Sequence, residues 1–114
     1  MENLNNFNGT EHYYKGYLNV LYTDGVQFVA LNGASWLITD ISSVLKCESK
    51  VKKEGFVCIK FSVFENTAKV IYTDGNNNVL FSQKYKYTDF ERHFKEKEVI
   101  FYFIDGVLLL SSEY

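Results

Sequence analysis

The stretch Tyr22–Leu45, YTDGVQFVALNGASWLITDISSVL, limits the possible folds more than any other part of the chain. Its apolar residues recur at intervals of three and four. Val26, Val29 and Ala30 form one set, and Ala34, Leu37, Ile38, Ile41, Val44 and Leu45 form the next. That period lays them along one helix face. Thr23 and Asp24 carry short oxygen-bearing side chains, suited to accept the first free backbone N–H groups of a helix. Asn32-Gly33 interrupts the run, because glycine takes the left-handed conformation at little cost. The spacing predicts two helices, about 24–32 and 34–46, meeting at a corner. Trp36, the only tryptophan, falls in the first turn of the second helix and is expected to be mostly buried as a core anchor. Thr39 and Asp40 fall on its wet face.

After Leu45 the period changes. Residues 46–55 read as a charged connector ending at Gly55. Phe56–Phe64 then alternates, with Val57, Ile59, Phe61 and Val63 on one side and Cys58, Lys60 and Ser62 on the other, which is a strand pattern. Glu65-Asn66 reads as a turn and Ala68–Tyr72 as the next strand. Residues 74–78, DGNNN, form a hairpin loop, since Asp, Gly and Asn tolerate positive φ. Val79–Tyr87 follows, then a short helical turn capped by Thr88-Asp89 and running to Phe94. Val99–Ile104 is apolar throughout, and Asp105-Gly106 turns it into Val107–Leu110. Before the organising stretch, residues 1–9 are polar and expected to be loose, with Phe7 able to pin them, and Thr10 to Tyr14 reads as a short helix. The expected fold class is α+β. Helices in about 10–46 pack on an antiparallel β-meander of about five strands in 56–110, as one domain over 1–114. Sequential strands with short turns favour antiparallel pairing, because parallel pairs need long crossovers.

Tyr-Thr-Asp occurs at 22–24, 72–74 and 87–89. The flanks differ each time, so this is not an internal repeat. A short oxygen-bearing side chain serves a helix start and a hairpin loop equally well.

Composition narrows the function classes. With 114 residues the chain holds one modest core. Nine Tyr and ten Phe exceed what such a core takes in. Several Tyr are expected at the surface, where a ring with a polar tip suits a protein interface. The net charge of −2 sets up no field to gather nucleic acid. The charge is uneven, however. Glu2, Glu11, Asp24 and Asp40 against Lys15 leave −3 in residues 1–45 and +1 in the rest. Lys46, Lys50, Lys52 and Lys53 form a local basic cluster, either a solvated loop or a contact for phosphate or an acidic protein face.

Catalytic patterns are sparse. Cys47 and Cys58 lie in no CxxC or Cys/His ligand set, and Cys58 is expected to be a small buried apolar residue. No GxSxG elbow and no phosphate-binding GxxxxGK[ST] occurs. His12 and His93 lie in different predicted elements, so an acid–base pair would require the fold to bring them together. No metal or cofactor is expected. Met1 is followed by a polar, Asn-rich segment rather than a signal peptide, and no apolar run approaches the ~20 residues of a membrane span. A reduced cytoplasmic setting is the expectation.

FNGTEHYY (7–14), LYTDGVQFVA (21–30), GASWL (33–37), YTDF (87–90) and LLLSSEY (108–114) carry a resemblance. In these motifs, and in their order, the chain resembles a family of small bacterial, plasmid and phage proteins classed as a domain of unknown function. Members usually carry Pro before the closing SEY, where this chain has Ser111, and often Tyr where it has Ser35. The Asn- and Lys-rich style is similar to that of phage and prophage products. Small, acidic, aromatic-rich proteins of that origin are similar in type to anti-defence inhibitors, including inhibitors of type VI CRISPR ribonucleases (the Cas13 type). The resemblance implies a non-enzymatic anti-CRISPR protein that binds a bacterial defence nuclease or its guide RNA. The residues expected to carry that contact are Lys46, Lys50, Lys52, Lys53, Tyr13, Tyr14 and Tyr85. The alternative is a guide-RNA-contacting module. It requires Lys46–Lys53 to join Lys84, Lys86 and exposed Tyr side chains in space.

Overall fold

Asn32 and Gly33 break the helical stretch at the predicted corner. In the computed structural model, which describes residues 13–86, 88, 90 and 97–114, α1 spans Asp24–Val29 and α2 spans Ser35–Cys47, with a π turn over Ala30–Ala34 between them. Asn32 leaves helical geometry and Gly33 sits at φ 114°, a conformation that costs a Cβ-bearing residue strain. Asn32 Nδ2 donates to the Phe28 carbonyl at 2.8 Å, which satisfies an acceptor freed by the break. Val26, Val29, Ala34, Leu37, Ile38, Ile41 and Leu45 are all buried, as the period requires. Taken together, Asp24–Cys47 is long and apolar enough to cross a membrane by length and composition, contrary to the expectation that no segment comes near this. Most of its apolar residues pack in or against the core, while Leu31 is 73% exposed.

The connector is a second correction. α2 carries Lys46, Glu48 is extended, and α3 forms over Ser49–Lys52 with Lys53 as its C-cap. Val51 is buried, and its burial holds this short turn in place where isolated helix propensity would not.

The strands are β1 Tyr14–Lys15, β2 Leu21–Tyr22, β3 Phe56–Phe64, β4 Thr67–Thr73, β5 Val79–Tyr85, β6 Glu98–Ile104 and β7 Val107–Leu110. They form one seven-stranded sheet in the order β1-β2-β7-β6-β3-β4-β5. The α+β class holds, with a larger and less simple sheet than a five-strand meander. β6 returns to pair antiparallel with β3, β5 is left at the edge, and β2 runs parallel to β7. The exchange of β5 for β6 has a physical reason. VIFYFI carries apolar side chains on both faces and suits an interior strand, whereas β5 carries Ser82, Gln83 and Lys84, which suit an edge. Tyr14 lies in β1, not in a helix, and its ring stacks on Tyr22 at 5.7 Å. Thr10 to His12 lie outside the described residues, as do Phe7 and the turn from Glu91 to Phe94.

The turns follow their residues. Glu65-Asn66 (φ 48° and 66°) and Asp105-Gly106 (φ 52° and 82°) both take positive φ, as two-residue hairpins of this hand require. Asp74 Oδ1 accepts from the Asn76 and Asn78 backbone N–H groups at 2.7 and 3.0 Å. Thr88 Oγ1 accepts from the Phe90 N–H at 3.2 Å.

Val57, Ile59, Phe61 and Val63 face the helices and are buried. Trp36 meets Phe61 edge-on at 6.1 Å and Tyr85 at 5.3 Å. It is mostly buried, as expected, and packs against the core near the β5 edge with part of its ring still exposed. Cys58 is half-buried, since its phase points away from the helices.

Candidate interaction surface

The sheet face turned away from the helices is apolar over β6 and β7 and charged toward β4 and β5. The register fixes its residues. Cys58 stands opposite Tyr102, and Phe56 opposite Ile104. Tyr102 in turn stands opposite Leu109, and Ile104 opposite Val107. On the other side, Lys60 faces Ile100 and Ile71, and Ile71 faces Ser82. A sheet with one solvated face normally alternates apolar and polar residues. Here β6 beyond Glu98 and the whole of β7 are apolar on both faces. Phe56, Ile71, Ile100, Tyr102, Ile104, Val107 and Leu109 are all half-buried. Tyr102 also touches Phe56 at 5.4 Å and Tyr114 at 5.3 Å. Tyr114 and Tyr13 are 79% and 61% exposed, and with Val107 and Leu109 they line a cavity of about 330 Å³ at the β7 side of this face.

The C-terminal residues hold that side together. α1 begins at Thr23, whose hydroxyl does not cap its own helix. Instead it donates to Glu113 Oε1 at 2.6 Å, and Glu113 Oε2 accepts the Gly25 N–H at 3.0 Å. Glu113 Oε1 also accepts the Leu110 N–H at 2.9 Å. A carboxylate distant in sequence thus satisfies the helix N-terminus and complements its dipole. A Cβ on Gly25 would lie 2.6 Å from Glu113 Oε1, so glycine is required for this close approach. Two motifs of the sequence resemblance, YTDG and SEY, meet here.

The expected contact residues occupy several separate places. Lys46, Lys50, Lys52 and Lys53 are exposed. Lys84 stands across from Lys69, which stands across from Ser62 near the far end of β3. α3, which carries Lys50 and Lys52, packs against β5, the strand that carries Lys84 toward its C-terminal end. Tyr13 and Tyr14 lie at the β1 edge, six strand spacings from β5, or roughly 29 Å. Tyr14 is engaged internally. Burial first, then a hydrogen bond to Asp24 and its charge, raise its phenol above the ordinary range.

Tyr85 is engaged too. Its hydroxyl donates to Asp40 Oδ2 at 3.0 Å, which makes Asp40 half-buried rather than wet. Burial, followed by the Asp40 charge and hydrogen bond, pushes the Tyr85 phenol well up. The buried Tyr72 phenol is pushed up still further by burial, with Tyr85 and Asp40 adding to it. Among the described residues its hydroxyl has no hydrogen-bond partner.

The sequence shows Val99–Ile104 as apolar throughout, but an outward binding face was not read from it. The lack of polar alternation in β6 and β7 was the available signal. His12 and His93 lie outside the described residues. Among the described residues, no three His, Cys, Asp or Glu side chains gather as a possible metal site. No curated protein and no solved structure matches the chain. A family of unknown function, DUF6876, matches residues 1–114, and the chain belongs to that family.

Proposed function

We propose that this protein works by contact: it binds another protein through the outward face of its sheet and carries out no chemistry of its own. The observation that supports this reading is the apolar outward side of β6 and β7. A layer of Ile100, Tyr102, Ile104, Val107 and Leu109 gains most when a second surface excludes water from it. The exposed Tyr13 and Tyr114 at its margin are rings of the type enriched in protein interfaces. The partner we propose, on the sequence resemblance, is an RNA-guided bacterial ribonuclease of the type VI class, which the protein would inhibit. The exposed Lys46, Lys50, Lys52 and Lys53 would add contacts to an acidic patch of that enzyme or to its guide RNA. A guide-RNA module is the second reading, and the net charge of −2 favours it less.

The test pairs an interference assay in cells bearing a type VI nuclease with a binding titration on the purified nuclease–guide complex. Ile100→Glu and Leu109→Glu should each leave a folded protein that neither binds nor interferes. Changing the four lysines to Gln should leave folding nearly unchanged, since exposed charges contribute little to stability. It should weaken binding most at low salt, where screening is least. Undiminished binding by Ile100→Glu and Leu109→Glu would remove the outward face from the site. No interference with any type VI nuclease would remove the proposed partner.

A further inference from the structure

Among the described residues β5 is the long edge strand of the sheet, with α3 packed against it. It pairs with β4 along Val79–Tyr85 and with no other described strand, whereas the opposite edge, β1, is two residues long. A seven-residue edge presents a row of backbone donors and acceptors to any strand laid against it. The usual protections are thin here. The chain contains no proline, Val79 is 64% exposed, and the irregularity in the β4 pairing is confined to Tyr72/Thr73.

The charge beside this edge is one-sided. Lys69 and Lys84 stand directly opposite each other across β4 and β5, an arrangement that like charges disfavour. On the same face Lys60 is neutralised by Glu98 at 3.3 Å, and among the described residues that is the ion pair this face holds. Lys86 follows two residues beyond Lys84, and both are exposed. The three lysines surround a cavity of about 400 Å³ whose apolar lining includes Val63, Phe64 and Ala68. Phe64 is 70% exposed.

We propose that β5 takes up an extended acidic segment of a partner protein as an added strand. The segment's carboxylates meet Lys69, Lys84 and Lys86, and an apolar side chain of the segment enters the cavity beside Phe64. Backbone pairing along an edge supplies affinity without sequence preference, and the side chains flanking it supply the choice. Lys84 opposes a basic strand and favours an acidic one, so the same residue guards the edge and selects its occupant. This inference rests on the reading that the protein acts by binding a protein, and it names the kind of segment bound.

The probe is a fluorescein-labelled heptapeptide of alternating Glu and Val, titrated against the full chain by anisotropy, with backbone amide NMR to locate it. Three further probes accompany it: the same peptide with Lys for Glu, the same peptide N-methylated at alternate nitrogens, and a labelled oligouridylate. The acidic peptide is expected to bind and to shift the amides of Val79–Tyr85. The Lys peptide should not bind, and N-methylation should abolish binding because it removes the donors that pair with the edge. Changing Lys69, Lys84 and Lys86 to Gln should weaken binding about tenfold, equivalent to ~1.4 kcal/mol. Equal binding by the N-methylated peptide, equal binding to the triple variant, no binding of the acidic peptide, or tighter binding of the oligouridylate would each overturn the proposal. Peptide binding without nuclease interference leaves this inference standing and removes the partner proposed above. Interference without peptide binding does the reverse.

Discussion

The Thr23 hydroxyl and the Glu113 carboxylate, 90 residues apart, meet in a 2.6 Å hydrogen bond that ties the start of the helical layer to the last turn of the chain. The pairing is not isolated. The same carboxylate takes the N–H groups of Gly25 and Leu110, so one side chain joins α1 to the end of β7.

Glu113→Ala should therefore cost ~1–3 kcal/mol, because it leaves donors of a helix start without their acceptor. Gly25→Ala should cost about as much by a different route. Its Cβ would press on Glu113 Oε1 at 2.6 Å and on Leu110 Cδ1 at 2.7 Å, which is overpacking. The two substitutions share a partner, so the double variant should cost less than the sum of the singles. Urea unfolding of the four proteins measures this, and strict additivity would show that the carboxylate does not act as the cap.

Trp36→Ala should cost ~2 kcal/mol, below the 3–5 kcal/mol of a fully buried aromatic. The ring is mostly but not fully buried and keeps two edge contacts, to Phe61 and Tyr85. Thermal unfolding decides between these values. A loss at the upper end would mean that Trp36 closes more of the core than its exposure indicates.

Local signals were legible in the sequence and long-range ones were not. Asn32-Gly33, Glu65-Asn66 and Asp105-Gly106 each announced a positive-φ backbone, because only a few residue types accept one. The alternation of Val57, Ile59, Phe61 and Val63 likewise named the buried face of β3 correctly. β1 and β2 left no trace, since two residues make no period. The place of β6 beside β3 depends on which strand can be apolar on both faces, a comparison between strands that no single window contains. Glu113 was missed for the same reason. A local capping box would put Glu or Gln at position 26, where this chain has Val26, and that gap was the hint that the acceptor comes from elsewhere. The basic segment was read correctly as exposed, but the packing of α3 against β5 follows from topology alone.

Asp74 gives the hairpin between β4 and β5 an acid dependence. The Asn78 side chain first, then the Asn78 and Asn76 backbone N–H groups, hold its carboxyl below the ordinary range. A lowered carboxyl pKa contributes stability above the unfolded value of ~3.9 and loses it as pH falls through the folded value. Asp74→Ala should thus be less stable than the parent at pH 6, and the gap should close as the pH falls below about 4. Urea midpoints taken from pH 6 to pH 2 test the sign. A gap that stays constant would assign the effect to loop geometry and not to the charge.

Tyr72 and Tyr85 should respond in opposite ways to loss of a hydroxyl. The Tyr85 hydroxyl donates to Asp40, so Tyr85→Phe leaves a half-buried carboxylate without that donor and should cost ~1.5–3 kcal/mol. The Tyr72 hydroxyl is buried with no hydrogen-bond partner among the described residues, and an unpaired buried hydroxyl carries a desolvation cost. Tyr72→Phe removes it while keeping the ring and its edge contact with Phe81 at 5.8 Å. That variant should be as stable as the parent or more stable, by up to ~1 kcal/mol. The phenol pKa values give a second readout. Both are raised by burial first, so their stability contribution is complete below the unfolded value of ~10 and declines as pH rises above it toward the folded values. Tyr85→Phe and Tyr72→Phe should each lose less stability than the parent between pH 9 and pH 11. Destabilisation by Tyr72→Phe at pH 7 would show that its hydroxyl is bonded in solution, with a water between it and the Asp40–Tyr85 pair as the arrangement to look for.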